Sequence, residues 1–293
     1  MEKLLVIDGS AADAQAAASH RQGMSADQME TYLRSKTAFE IMAGYEAGAG
    51  GMIDFPNRFA EGAVLPRDGL ALLGSGDYPN QVPIIMGTNK DESKLFMAPR
   101  YMQGIISGTA SEEEIELYNL AARYSSDYWK VRGADDPARK MSAHQSDVYV
   151  YQFLWGSVRE DGSSAVAEPY STLLGAYHGV EIDFFFDIET GLLGQLLFSE
   201  QNRPGREALT AAVMSYTAEF LRTGNPGKGS SGDLPEWQEW SNDPGGAKCI
   251  LLDADLEDTL IEMSTVELTT DRITQQLEAE PRREEIEAEI AIF

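Results

Sequence analysis

The stretch VPIIMGTNKDES, residues 82–93, joins an apolar run to a polar turn. The run at 82–86 predicts a buried strand, and the turn after it carries two acids, Asp91 and Glu92. In open α/β sheets, ligands and catalytic groups lie at the carboxyl ends of the strands. The two acids are therefore candidates for chemistry, and the rest of the chain has to indicate which chemistry.

Helices and strands alternate along the remainder of the sequence. The predicted elements are a strand at 4–7, helices at 11–18 and 25–43, a strand at 82–88, a helix starting at the capping box of Ser111 and Glu114, a strand at 148–155, a helix at 203–222 and a strand at 248–253. This alternation indicates an α/β fold with a mostly parallel sheet and helices on both faces.

Two regions depart from this pattern. Residues 44–81 are rich in Gly, Pro and Asp and predict a long loop with short extended pieces, such as 52–55. Residues 266–293 are rich in Glu, Gln and Arg and predict a solvated helix broken near Pro281. We therefore expect a domain at 1–265 followed by an acidic helical tail at 266–293.

Composition excludes several classes of partner. With 23 basic and 48 acidic residues, the formal charge of −25 repels phosphate backbones and anionic lipids, so neither nucleic acid nor a membrane surface is expected as a partner. No apolar stretch approaches the ~20 residues that span a bilayer. The single cysteine, Cys249, can form neither an internal disulfide nor a zinc cluster, and no metal site is expected. A chain with a single cysteine is compatible with a reducing compartment such as the cytoplasm, but the localisation of the protein stays open.

Of the three histidines, His178 has the most informative surroundings. It lies in a glycine-containing loop, directly before the apolar run at 182–186. Loops carried on a rigid sheet are where a general base is expected. His20 and His144 lie in polar or small-residue helical stretches and carry no comparable signal.

Several blocks, taken in order, resemble a known family. They are VPIIMGTNKDES followed by LF, then VYVYQFLW, AYHGVEIDFFF, FLRTGNP and LPEWQEWS. These blocks look like the type-B carboxylesterases, which include cholinesterases and bacterial esterases active on nitrobenzyl esters. The resemblance extends from about Leu4 to about Asp253.

The resemblance implies an α/β-hydrolase fold with a Ser-Glu-His triad, of which this chain would form the C-terminal portion. The acid of the N-K-D-E motif is Glu92, and the histidine of the H-G block is His178. His178 would take the proton from the nucleophile, and Glu92 would fix the imidazole tautomer. No organic or metal cofactor is implied, because acyl transfer through a serine needs neither.

The nucleophile elbow of the family, G-x-S-x-G, occurs nowhere in the 293 residues. We therefore expect the chain to begin about where the helix after the elbow would end. Where the family has Q-S-G or M-S-G, this sequence has Ile7-Asp8-Gly9, and an Asp8 close to Glu92 would raise the pKa of one carboxylate.

Three functional hypotheses follow. In the first, the chain is part of a hydrolase of small carboxylic esters, and the serine comes from an upstream or separate N-terminal esterase chain carrying G-x-S-x-G. In the second, the chain is a catalytically inactive truncated esterase. In the third, it is an esterase-like binding module. The ester itself is not specified. Four apolar residues after His178 would suit the wall of a substrate pocket or, equally, the core: Phe184, Phe185, Leu192 and Leu196.

Overall fold

A computed structural model of the protein describes residues 1–45, 62–63, 66–189, 191 and 193–291. The chain divides into two compact units, Met1–Phe59 and Ala60–Phe293. The extended piece predicted at 52–55 lies outside the described residues. The expected boundary at residue 265 stays a prediction.

The described part of the first unit is helical. Its helices are α1 (Glu2–Ile7), α2 (Ala14–Gln22), α3 (Ala26–Arg34) and α4 (Ala38–Ala43). The strand predicted at 4–7 is therefore wrong. Helical backbone bonds join Leu5 to Met1 and Asp8 to Leu4, and the buried Leu5 packs against Ala11 and Ala17.

The predicted helix at 25–43 consists of two helices rather than one. Thr37 accepts a hydrogen bond from the backbone of Glu40, and the Glu40 side chain bonds back to the backbone of Thr37. This capping box starts a new helix within the apolar pattern, because it satisfies backbone donors that a continuous helix would bond internally.

The second unit contains the sheet. Its elements are α5 (Leu72–Ser75), β1 (Ile84–Asn89), α6 (Lys94–Ser107), α7 (Glu112–Lys130), α8 (Asp136–Met141), β2 (Val148–Phe153), α9 (Tyr170–Leu173), α10 (Val180–Phe185), α11 (Gly194–Leu197), α12 (Arg203–Thr223), β3 (Cys249–Leu252), β4 (Glu262–Ser264), α13 (Thr270–Glu278) and α14 (Arg283–Ile290). The helix α5 lies inside the region predicted to be a long loop, so that prediction is wrong for this segment.

The sheet has the strand order β1-β2-β3-β4. The first three strands are parallel, with Ile84 opposite Val148 and Tyr151 opposite Ile250, whereas β4 runs antiparallel to β3. The expectation of a mostly parallel sheet is confirmed. Since parallel strands end at the same edge, the loops after β1 and β2 meet there.

Both faces of this sheet are buried under helices. Successive residues of a strand point to opposite faces, so Tyr149 and Phe153 of β2 join one core cluster while Val148 and Val150 join another. The first cluster includes residues of α6, α7 and α12, and the second includes residues of α8. The predicted helices on both faces are confirmed.

Local signals fix the ends of the two longest helices. The Ser111–Glu114 capping box begins α7 as predicted. Gly224, in the left-handed conformation with φ of 81°, ends α12, and its amide bonds to the carbonyl of Phe220. Both helices contribute residues to the main core, which also contains side chains from one face of β2.

The acidic tail is broken near Pro281, as predicted, into α13 and α14. It is less solvated than expected, because Ile273, Leu277 and Ile286 are buried in the main core of this unit. Most of the charged residues of the tail are exposed on the outward sides of the two helices, whereas Glu289 is buried and pairs with Arg100.

Candidate active site

The polar turn after β1 presents Glu92 at the carboxyl end of the sheet. The amide of Lys90 donates to the carbonyl of Phe153, at the end of the neighbouring strand β2, over 2.8 Å. The backbone amide of Asn89 donates to Oε1 of Glu92, also over 2.8 Å. The Glu92 side chain is only 5% exposed, so the turn holds a buried carboxylate in a fixed orientation.

The second oxygen of this carboxylate bonds to His178. Oε2 of Glu92 lies 2.6 Å from Nδ1 of His178, although the two residues are 86 positions apart. A carboxylate can only accept, so the proton of the neutral imidazole sits on Nδ1. Nε2 is therefore the nitrogen left to exchange a proton with another group. The structure brings together the acid and the histidine predicted from the sequence.

The electrostatics of this pair favour the charged imidazole. The hydrogen bond that His178 donates to Glu92 raises the pKa of His178 above its ordinary value of 6.5, against the opposing effect of partial burial. The charge of Glu181, on α10, acts in the same direction. Burial raises the pKa of Glu181 itself. A histidine in this setting can accept a proton and hold it next to a carboxylate.

Two aromatic rings flank the histidine. The ring of Trp129, from α7, lies 5.0 Å from the imidazole, and that of Phe96, from α6, lies 5.4 Å away. These rings restrict the rotation of the imidazole, whose side chain is still 44% exposed. The sequence did not single out Trp129, since it lies on a helix separated from both site motifs.

Asp91 is the acid next to Glu92, and it holds the loop that leads to His178. Its carboxylate accepts from the hydroxyl of Ser157 and, over 3.0 Å, from the amide of Ala176. Burial opposes its charge, but Lys94 and these hydrogen bonds prevail, and the net pKa of Asp91 is lowered. Asp91 is thus a structural acid in the same turn.

Gly175 makes this contact possible. Its φ is 53°, and a Cβ on it would lie 2.2 Å from Oδ2 of Asp91. A larger residue would push the loop away from the turn. Gly175 directly precedes the block A-Y-H-G, and the reason for a glycine at this position is visible only in the fold.

The four predicted pocket residues do not share one environment. Phe184 is buried in the core, with its ring 4.9 Å from that of Phe153, and Phe185 is half-buried against Tyr151. Leu196 is 43% exposed, and Leu192 lies outside the described residues. Their assignment to a substrate pocket stays a prediction.

Asp8 is paired within the first unit, and its expected effect on Glu92, which belongs to the second unit, stays a prediction. Its carboxylate lies 2.5 Å from Nζ of Lys36 and accepts from the hydroxyl of Tyr32. The hydrogen bond from Lys36 is the main cause that lowers the pKa of Asp8. Asp8 is therefore a paired acid of the first unit.

In the part of the chain that the structure describes, His, Cys, Asp and Glu side chains do not assemble in groups of three or more with metal-binding geometry. None of the helices in the described residues is long and apolar enough to cross a membrane.

Comparisons with known proteins decide the family. A sequence profile described as Carboxylesterase family matches residues 99–265, which include His178 and cover more than half of the chain. The chain belongs to the carboxylesterase family. The profile match begins after Glu92, so the role of that residue rests on its geometry.

Relatives of this carboxylesterase-family chain agree with the profile. Carboxylesterase 1C of Mus musculus is 29% identical over an alignment of 259 residues, and the match covers 75% of this chain and 43% of the mouse protein. A solved structure of PNB esterase matches with a TM-score of 0.52 and 19% identity, over 90% of this chain and 53% of the other. A second structure of PNB esterase gives 0.52 and 18%, over 89% and 53%.

These likenesses confirm the α/β-hydrolase fold expected for the chain. They also show that the chain spans about half the length of the relatives it matches.

Proposed function

We propose that this chain supplies the acid and the base of a serine-type carboxylic ester hydrolase. The observation that carries the proposal is the 2.6 Å contact between Oε2 of Glu92 and Nδ1 of His178 at the carboxyl end of the sheet. The contact leaves Nε2 for a nucleophile, and Glu92 accepts from the Nδ1–H, as the acid of a triad must.

The roles of the two residues follow from this geometry. Nε2 of His178 removes the proton from a serine hydroxyl as its oxygen attacks the ester carbonyl, and the imidazolium then returns that proton to the leaving alcohol. Water repeats the sequence and releases the carboxylic acid. Glu92 fixes the tautomer and stabilises the imidazolium, which agrees with the raised pKa of His178.

The serine of this proposal belongs to an N-terminal esterase segment carrying G-x-S-x-G, either upstream in the same protein or in a separate chain. Three observations support it. The chain spans about half of the relatives it matches, and its 293 residues contain no such elbow. In the part of the chain that the structure describes, β1 is hydrogen-bonded to a strand on one side only, so its other edge can accept a further strand.

The test is co-expression of this chain with a G-x-S-x-G segment from a related esterase, followed by assay of the purified complex on short-chain p-nitrophenyl esters. We expect turnover by the complex and none by the chain alone. His178→Gln and Glu92→Gln should each lower kcat by about 10³–10⁴-fold, with the folded structure retained. His144→Gln, on an exposed histidine, is the matched control and should leave turnover unchanged.

Two results would contradict the proposal. A well-folded complex without turnover would favour an inactive esterase or a binding module. Turnover that survives His178→Gln would mean that another group acts as the base.

A further inference from the structure

The turn after β1 contacts the histidine loop at three consecutive residues. Glu92 bonds to His178, and Asp91 accepts from the amide of Ala176 over 3.0 Å. Between them, Nδ2 of Asn89 donates to the carbonyl of Tyr177 over 2.8 Å. Ala176, Tyr177 and His178 are thus each held by a different side chain of residues 89–92, which comprise the last residue of β1 and the turn after it.

Asn89 also links Glu92 to the His178 loop, because its backbone amide and its side-chain amide both donate hydrogen bonds. Its backbone amide donates to Oε1 of Glu92, and the remaining proton of Nδ2 goes to Glu181. Asn89 is 1% exposed, and its Oδ1 is buried without a partner among the described residues. Because both partners of Nδ2 are acceptors, the orientation of the amide is fixed by them.

The unpartnered oxygen is informative. A buried carbonyl oxygen without a hydrogen bond is unfavourable for the fold, so stability alone does not account for an asparagine at this position. Its two donor contacts, in contrast, fall on the residue before His178 and on a carboxylate that acts on His178.

We propose that Asn89, assisted by Asp91, is a positioning residue that holds the His178 loop against the Glu92 turn. Neither Asn89 nor Asp91 is required to touch the substrate. The Glu92–His178 hydrogen bond is a single contact to a side chain that is 44% exposed, whereas the contacts to Ala176 and Tyr177 fix the backbone that carries it. Precise placement of a base matters because a displacement of about 1 Å can reduce the rate by about 10²-fold.

The carboxylates that act on the imidazole are Glu92, from the turn, and Glu181, from α10. The helices α6 and α7 face it with the rings of Phe96 and Trp129. A change at Asn89 therefore reaches His178 through the two carboxylates and the loop backbone.

The experiment is NMR of the full chain labelled with ¹⁵N at histidine. With three histidines in the sequence, His178→Gln assigns the signal of interest. Asn89→Ala should lower the pKa of His178 and increase solvent exchange of its Nδ1 proton. The signals of His20 and His144 should stay in place.

Asn202→Ala is the matched control. Asn202 is also 1% exposed, and its Nδ2 donates to two backbone carbonyls, those of Ala165 and Leu197. Both variants should reduce stability, but only Asn89→Ala should change the His178 signal. If Asn89→Ala does not fold, Asn89→Ser, which leaves a smaller cavity and a donor, takes its place.

The inference is overturned if the His178 signal is the same in Asn89→Ala as in Asn202→Ala while Glu92→Gln alters it. An activity arm, which rests on the proposed function, uses the co-expressed complex. There kcat should fall about 10–100-fold in Asn89→Ala with KM little changed. The NMR experiment needs no turnover. A failure of the inference about Asn89 can therefore be distinguished from a failure of the proposed function.

Discussion

Glu92 and His178 bond through Oε2 and Nδ1 over 2.6 Å although 86 residues separate them in the chain. The bond forms because the parallel strands β1 and β2 end at the same edge of the sheet. The turn after β1 there meets the segment between β2 and α10, which carries His178. The bond makes the protonated imidazole more stable in the folded chain than in the unfolded one, and this couples folding to pH.

The sign of that coupling follows from the raised pKa of His178. A raised folded-state pKa gives stability that is fully present below about 6.5, the value for an unfolded chain, and is lost as the pH rises through the folded-state pKa. We expect the free energy of unfolding of the native chain to exceed that of His178→Gln by more at pH 5.5 than at pH 8.5. Urea unfolding across this range measures the difference, and a gap that widens with pH would contradict the assignment.

Phe184 and Leu196 should respond differently to truncation. Phe184 is 1% exposed and packs between the rings of Phe153 and Trp155, so Phe184→Ala should cost about 3–5 kcal/mol of unfolding free energy. Leu196 is 43% exposed, and Leu196→Ala should change stability by less than about 0.5 kcal/mol. Denaturant unfolding compares them. Unchanged stability in Phe184→Ala would show that its ring does not belong to the core.

The buried ion pair of Lys130 and Asp135 should be costly to break. Nζ lies 2.5 Å from Oδ1, and both side chains are at most 3% exposed. Asp135→Asn would leave the Lys130 charge uncompensated and should destabilise the fold by about 3–5 kcal/mol.

The control for this pair is Glu287→Gln, which breaks a half-exposed pair with Arg283 and should cost about 0–1 kcal/mol. Thermal unfolding of the two variants separates these expectations. Equal effects would mean that the Lys130 charge is compensated in another way.

The tail should be required for the stability of the second unit. Ile286 is fully buried, so Ile286→Ala should cost about 2–5 kcal/mol, whereas Glu284→Ala, at an exposed position of the same helix, should be within about 0.5 kcal/mol. Deletion of 266–293 should broaden or abolish cooperative unfolding. Native-like unfolding of the deleted chain would show that the tail is separable, as the boundary at 265 predicts.

Some elements could be read from the sequence because their causes are local. The capping box of Ser111 fixes the start of α7, and Gly224 ends α12 through a conformation that favours glycine. The alternating β-branched and aromatic residues at 148–153 suit a strand between two buried faces. These signals need no knowledge of the rest of the chain.

The predicted strand at 4–7 failed because a strand depends on a neighbour. Its backbone groups must be paired by another strand, whereas a helix pairs them within its own turns. In the first unit, Leu5 instead packs against Ala11 and Ala17, and helical bonds satisfy the backbone. Nothing in the four residues themselves distinguishes these two outcomes.

The sequence by itself determined the fold class and, through a family resemblance, singled out Glu92 and His178 as the candidate acid and base. Only the tertiary structure decided how they are held. Asn89, Asp91 and Gly175 act through hydrogen bonds and close approach between segments more than 80 residues apart, and Trp129 reaches the imidazole from α7. Such contacts have no local pattern, since they arise from the sheet that brings the ends of its strands together.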